Sequence, residues 1–404
     1  MAVSNRTWWM FCVLTILTAM AVGGSTLQHA LGTTPVDLGV YRTGALTAMG
    51  NPSDLYRTTG QLPFTYPPFA AILFAPLAAL PEPAASVFMM SVSVLALARV
   101  IFICNRAIGR QPLGPLAVLT LTLAAGCLEP VWQTISFGQV NLALMWAVLE
   151  ALLPKEGKPW RGALVGLAAG VKLTPSIFLV IPLIERRWRM LVVSAVFAAA
   201  TVAAGYVLSP SAFADYWLRA LWDPARIGGV AYAGNQSITG AVARFDPSAG
   251  HLWWVAAVVV LLPALWVVVT RLLSEARRLH AIVATSLVGL LLSPISWSHH
   301  WVWVVPLGAV LYSESTRGSE LTRPVRRCGT LLAIGWTAAL VLGVIWWAPH
   351  GDEQEIGASI PAHVTTSAYV ILALLTLVWL LALSFDRQRP SRRVVETAES
   401  LSVG

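Results

Sequence analysis

Charge is what this chain has least of. Only 11% of its 404 residues are charged, and just three of them, Lys155, Lys158 and Lys172, are lysine; soluble domains carry roughly 25% charge. With 57% hydrophobic residues and a mean hydropathy of +0.70, a soluble fold of this size could not solvate its own surface. Cysteine is scarce too. Cys12, Cys104, Cys127 and Cys328 are scattered singly in or beside apolar runs, without CxxC spacing. They indicate neither a metal cluster nor a disulfide framework and read as small packing residues. Also absent are a Walker sequence, HExxH, GxSxG, and an Asp-x-Asp pair able to hold a metal against a nucleotide-sugar diphosphate. A nucleotide- or metal-dependent mechanism has little to stand on.

Long apolar runs are abundant. About twelve occur, near 8–30, 64–81, 84–105, 112–128, 139–153, 161–185, 190–208, 251–270, 279–296, 299–313, 328–347 and 367–385. Since about 20 apolar residues span a bilayer as a helix, the fold class is an all-α polytopic membrane protein. Residues 8–22 follow Arg6 and resemble a signal peptide, but the continuing runs favour a retained first span. One transmembrane domain over 1–386 and a short basic tail over 387–404 account for the chain.

The net charge of +8 is distributed between the runs, which marks orientation and not a nucleic-acid surface. Arg186, Arg187 and Arg189, then Arg271, Arg277 and Arg278, then Arg317, Arg323, Arg326 and Arg327, and finally Arg387, Arg389, Arg392 and Arg393 mark cytoplasmic ends. The intervals 31–63, 209–250, 297–300 and 348–366 then face outward, with both termini cytoplasmic. Twelve full spans would place Arg106, Arg110, Lys155 and Lys158 outside. Broken hairpins at 64–81 and 161–185 repair this, because non-helical backbone is tolerated in a membrane where it is buried in protein or lines a cavity. Gly162, Gly166 and Gly170 form a small-xxx-small face for close helix packing.

Three outward clusters carry chemistry-bearing residues. Asp37 precedes a helical pattern with Leu38, Tyr41, Ala45, Ala48 and Met49 on one face and Gly50 at its end; its structural reading is an N-cap. Phe64-Thr65-Tyr66-Pro67-Pro68-Phe69 reads as an extended approach into a helix. In Ser293-Pro294-Ile295-Ser296-Trp297-Ser298-His299-His300-Trp301-Val302-Trp303, adjacent histidines on a helix point about 100° apart, so they do not chelate one metal. The structural alternative is an aromatic belt. Lys172 and Glu129 are ionisable groups within apolar sequence, functional by default or else paired structural charges. Gln139, Asn141 and Asn235-Gln236-Ser237 are further polar pointers.

Taken in order, these motifs resemble the actinobacterial polyprenol-phosphate-mannose-dependent α-1,2-mannosyltransferases, membrane glycosyltransferases of the GT-C type. The resemblance is carried by Val36-Asp37-Leu38-x-Val40-Tyr41-Arg42-x-Gly44-Ala45, Phe64 to Ala70, Gly138-Gln139-x-Asn141, Gly170 to Pro175, Asn235-Gln236-Ser237 and Ser293 to Trp303. It covers residues 36 to about 306. It implies a GT-C-type bundle of about 12 membrane segments with extracytoplasmic loop helices, in the cell inner membrane with the active site on the periplasmic face. It implies polyprenol phosphate mannose as donor, a mannosylated glycolipid of phosphatidylinositol mannoside or lipomannan type as acceptor, and no metal or other cofactor. By resemblance Asp37 is the base for the acceptor hydroxyl, and a histidine of the pair, preferably His300, lies beside the donor mannose. Arg42, Lys172 and His299 or His300 would stabilise the departing phosphate. Tyr66, Trp297 and Trp301 would pack on sugar faces, and Tyr41, Gln139, Asn141, Asn235 and Gln236 would complete the substrate site. The rival readings are a transferase of another polyprenol-phosphate sugar and a membrane transporter or flippase; the latter usually has repeated halves, which are not evident here.

Overall fold

The computed structural model describes residues 35–57, 62–154, 158–316 and 321–386. The expected first span, Lys155, Arg317, Cys12 and the 387–404 tail lie outside the described residues. Among the described residues the chain is helical, with a single antiparallel bridge, Asn235 to Trp297, in place of a sheet.

The helices in chain order are α1 (Val36–Gly50), α2 (Pro68–Ala79), α3 (Glu82–Ala107), α4 (Pro115–Gly126), α5 (Glu129–Ser136), α6 (Asn141–Leu152), α7 (Gly162–Val171), α8 (Val180–Ile184), α9 (Trp188–Leu208), α10 (Pro210–Leu218), α11 (Ile238–Phe245), α12 (Gly250–Ser274), α13 (Arg278–Leu292), α14 (Val304–Thr316), α15 (Arg323–Val341), α16 (Ile360–Thr366) and α17 (Ala368–Phe385). By length and composition α3, α9, α12 and α17 can each cross a membrane, and α4 with α5 makes a fifth candidate if the pair, bent by 88°, is one span.

One end of the bundle gathers the basic residues. Arg99 pairs with Glu150 at 2.6 Å, Arg161 donates to the Glu150 carbonyl at 3.0 Å, and Arg278 donates to the Leu152 carbonyl and to both Glu185 oxygens. Arg110 reaches Thr316. Segment 161–185 therefore starts and finishes at the same end. Its first limb, α7, has 10 residues, so it rises roughly 15 Å, about half a bilayer core. The backbone turns extended at Lys172 and returns through a 3₁₀ turn, Thr174–Leu179, and α8. The glycine face explains how so short a helix is held. A Cβ at Gly162, Gly166 or Gly170 would lie 2.3–2.4 Å from Met190 O, Ser194 O or Thr201 Oγ1 of α9, so only glycine permits this approach.

Segment 64–81 behaves differently from the expected hairpin. It is one unbroken helix, α2, entered through extended Pro67 with Pro68 at its first turn. It lies against α1, whose buried face is Leu38, Tyr41, Gly44, Ala45 and Ala48; Met49, expected on that face, is exposed. Tyr41 stacks on Phe74 with centroids 4.1 Å apart. The intervals assigned to one side do meet: Ser211 Oγ donates to Ser53 Oγ at 2.9 Å, Arg226 to the Tyr56 carbonyl at 2.7 Å, and Gly357 N–H to the Arg244 carbonyl at 3.1 Å.

Candidate active site

Asp37 is the second residue of α1, and Pro35 occupies the N-cap position. The expected capping role is thus not the one it plays. Its backbone N–H and that of Leu38 both donate to the Phe137 carbonyl, at 3.0 and 3.1 Å. Gly138 makes this junction possible: its φ is +69°, and a Cβ there would meet Leu38 Cβ at 2.9 Å. The helix start is satisfied by the α5–α6 turn, which leaves the carboxylate free for other work. Burial raises the Asp37 pKa to about 6, while the Gln139 side chain and the Lys172 ammonium pull it downward.

Around that carboxylate, side chains from distant parts of the chain converge. Tyr41 donates to Gln139 Oε1 at 2.8 Å and its hydroxyl lies 3.0 Å from that of Tyr66. Gln139 Nε2 donates to the Tyr66 hydroxyl at 3.1 Å and faces His299 Nε2 at 3.4 Å. Since the amide nitrogen can only donate, this ring nitrogen of His299 is the acceptor. Lys172 Nζ donates to Asn141 Oδ1 at 3.0 Å and to His300 Nε2 at 2.9 Å. An ammonium has three N–H bonds; two are used here among the described residues, and Nζ also stands 5.7 Å from the Tyr66 ring centroid. Asn141 and Thr134 both donate to the His299 carbonyl, at 2.9 and 2.8 Å, which fixes the paired histidines to the α5–α6 corner. His299 is buried and His300 half-buried.

A narrow crevice continues from this cluster between α6, the 3₁₀ turn and α13. Asn141, Lys172 and His300 line it with Thr174, Ser286 and Ser296, and Leu144, Met145, Val148, Phe178 and Leu290 are among its apolar walls. A charged head with an apolar tail matches that division.

The other expected site residues are placed elsewhere. Arg42 donates to the Leu77 and Leu80 carbonyls at 2.5 and 2.7 Å, closing the end of α2. Trp301 is fully buried between Trp336 and Tyr369 in the apolar core, so it is not on a sugar-facing wall. Trp297 packs beside Tyr232 at 6.0 Å. Asn235 Oδ1 accepts from Ser296 N–H at 2.9 Å. Gln236 N–H donates to the Ser296 carbonyl at 2.7 Å, and the Gln236 side chain bonds Ala233, Thr366 and Tyr369. These two residues brace the segment leading into the histidines. Glu129 accepts from Trp346 at 3.0 Å and Tyr369 at 2.9 Å, the structural alternative of its two readings. Thr134 had no sequence signal; a lone threonine in a helix reads as packing until its partner is known.

A helical bundle with membrane-capable helices holds a carboxylate, an ammonium and two imidazoles beside a mostly apolar crevice, and these make up the candidate active site of a membrane protein. The model of glycosyltransferase family 87 matches residues 64–294, and the chain belongs to that family. It is 34% identical over 375 residues, 84% of this chain and 86% of the other, to a Mycobacterium tuberculosis polyprenol-phosphate-mannose-dependent alpha-(1-2)-phosphatidylinositol mannoside mannosyltransferase. It is also 34% identical over 388 residues, 92% of this chain and 90% of the other, to a Mycolicibacterium smegmatis protein described as a polyprenol-phosphate-mannose-dependent alpha-(1-2)-phosphatidylinositol pentamannoside mannosyltransferase. No solved structure matches the chain. Asp37 precedes the stretch matched by the family model.

Proposed function

We propose that this protein transfers mannose from polyprenol phosphate mannose to a mannosylated phosphatidylinositol-type glycolipid, with inversion, forming an α-1,2 linkage. The observation that carries the reading is that Lys172 and His300, hydrogen-bonded to each other, line a mostly apolar crevice, while the buried Asp37 carboxylate lies within the electrostatic reach of Lys172. The names of the relatives supply the sugar and the lipid class.

In this mechanism Asp37, as carboxylate, takes the proton of the acceptor 2-hydroxyl, whose oxygen forms the new bond to the anomeric carbon. The bond from that carbon to the phosphate oxygen breaks on the opposite face. The leaving phosphate keeps the electron pair, and the remaining N–H of Lys172 meets its charge. His300 holds the ammonium in place through Nε2, Gln139 and Tyr66 orient groups around Asp37, and the polyprenyl chain lies along Leu144, Met145 and Phe178. Phosphate is a competent leaving group as a monoanionic ester, so one carboxylate suffices where a glycosidase uses two. No metal is needed in this scheme. An extracytoplasmic site is the reading that the positive-inside rule supports, given the arginine clusters at the other end.

The test is transfer of radiolabelled mannose from polyprenol phosphate mannose to phosphatidylinositol mannosides in membranes expressing wild type or Asp37→Asn at matched levels. We expect product with wild type, unchanged by EDTA, and a loss of about 10³-fold in the variant. Absence of mannose transfer by folded wild type would overturn the donor assignment; loss with EDTA would require a metal in the mechanism.

A further inference from the structure

A second cavity, of about 580 Å³, opens among the loops at the site end. Its size is in the range of small-ligand pockets. Its walls come from 229–232, α11, the start of α12 and the 351–356 turn, with Tyr232, Thr239, His251, Asp352, Glu353 and Glu355 as polar lining and no arginine or lysine. The site described above uses none of these residues.

Several features show that the cavity is built. Arg244, fully buried, donates to the carbonyls of Ala231, Tyr232 and Asn235 and to Ser367 Oγ, so a guanidinium is spent on shaping this one loop. Glu355 is only 2% exposed. Its Oε1 accepts from the N–H groups of Ala233 and Gly351, both at 2.9 Å, which ties the two walls together. Glu355 is itself part of the cavity lining. Asp352 and Glu353 have φ of +50° and +63°, a conformation side chains rarely adopt. The Tyr232 ring lies 6.0 Å from Trp297 and 5.9 Å from Trp346, and Trp297 is separated from His299 by one residue.

The lining selects a chemical class. The lining holds three carboxylates and no arginine or lysine, with the Arg244 guanidinium behind the wall facing Glu355; such carboxylates accept well from hydroxyls, and an aromatic face takes the C–H side of a sugar ring. The four acidic and imidazole groups do not form a group able to hold a metal ion. We infer that this cavity is a docking site for a neutral hexopyranosyl unit of the acceptor glycan, distinct from the sugar that reacts. This rests on the mannolipid reading above, and it gives the acceptor a second anchor through the Trp297 segment.

The test uses the full-length protein in detergent, titrated with methyl α-mannopyranoside, an α-1,2-linked mannobioside and calcium chloride, reading tryptophan fluorescence. We expect saturable binding of the mannosides by wild type and equally by Asp37→Asn, weakened about tenfold in Tyr232→Leu and in Asp352→Asn. In the transfer assay the same two variants raise KM for the acceptor by about that factor, with donor KM and kcat unchanged. No sugar binding, binding unaffected by both variants, or a response to calcium in place of sugar would each overturn the proposal. Sugar binding in a protein that transfers no mannose would leave the cavity assignment standing while removing the proposed reaction.

Discussion

At the basic end Arg278 meets both oxygens of Glu185; at the site end, among the described residues, Lys172 donates to the neutral Asn141 and His300. Both arrangements take charge out of water. The first neutralises it with an opposite charge in contact. The second holds an ammonium in place with uncharged acceptors and turns its field on the Asp37 carboxylate and on the crevice. A charge paired in contact reads as architecture, and a charge positioned by neutral partners reads as a site.

That contrast breaks most sharply at its two cations. Lys172→Gln should lower kcat/KM about 10²- to 10³-fold with little change in thermal stability. Arg278→Gln should leave kcat/KM within about threefold while lowering the melting temperature by about 5 °C, because Glu185 loses its two-oxygen contact and keeps only the more distant Arg187 among the described residues. Transfer assays and thermal unfolding of the same preparations decide it; equal losses of activity in both variants would erase the distinction.

Gly138→Ala tests whether the carboxylate depends on the α1–α5 junction. Its Cβ would press on Leu38 and shift Asp37, so kcat should fall about 30-fold with donor KM nearly unchanged. Acidification probes the same group. Asp37 works as carboxylate and its pKa is raised to about 6. Activity should therefore fall about tenfold per unit as pH drops well below that value and level off above it. A profile flat down to about pH 5 would remove Asp37 from the base role. The smallest effect belongs to Arg42→Gln. Its guanidinium closes the end of α2, so stability should fall by about 1 kcal/mol and kcat/KM by less than about threefold; a hundredfold loss would return Arg42 to the phosphate.

The sequence by itself determined that the chain is a helical membrane protein, because scarce charge and recurring apolar runs permit little else. It also singled out Lys172, since a charge within apolar sequence is costly and stands out; Asp37 and the histidine pair read from their residues as a helix cap and an aromatic belt, and their functional roles come from the resemblance. The glycine face on α7 was legible for the same kind of reason: a four-residue spacing has one use in a helix. Tertiary structure alone decided how those residues act. Arg42 and Trp301 carry the residue types of a binding site, yet neighbouring carbonyls claim one and the apolar core the other. Asp37 reads as a helix cap until the Phe137 carbonyl, a hundred positions along, is seen to accept the first N–H groups of α1. Hydrogen-bond partners distant in sequence carry no local signature, and they settle whether a polar group is spent on the fold or left free for a substrate.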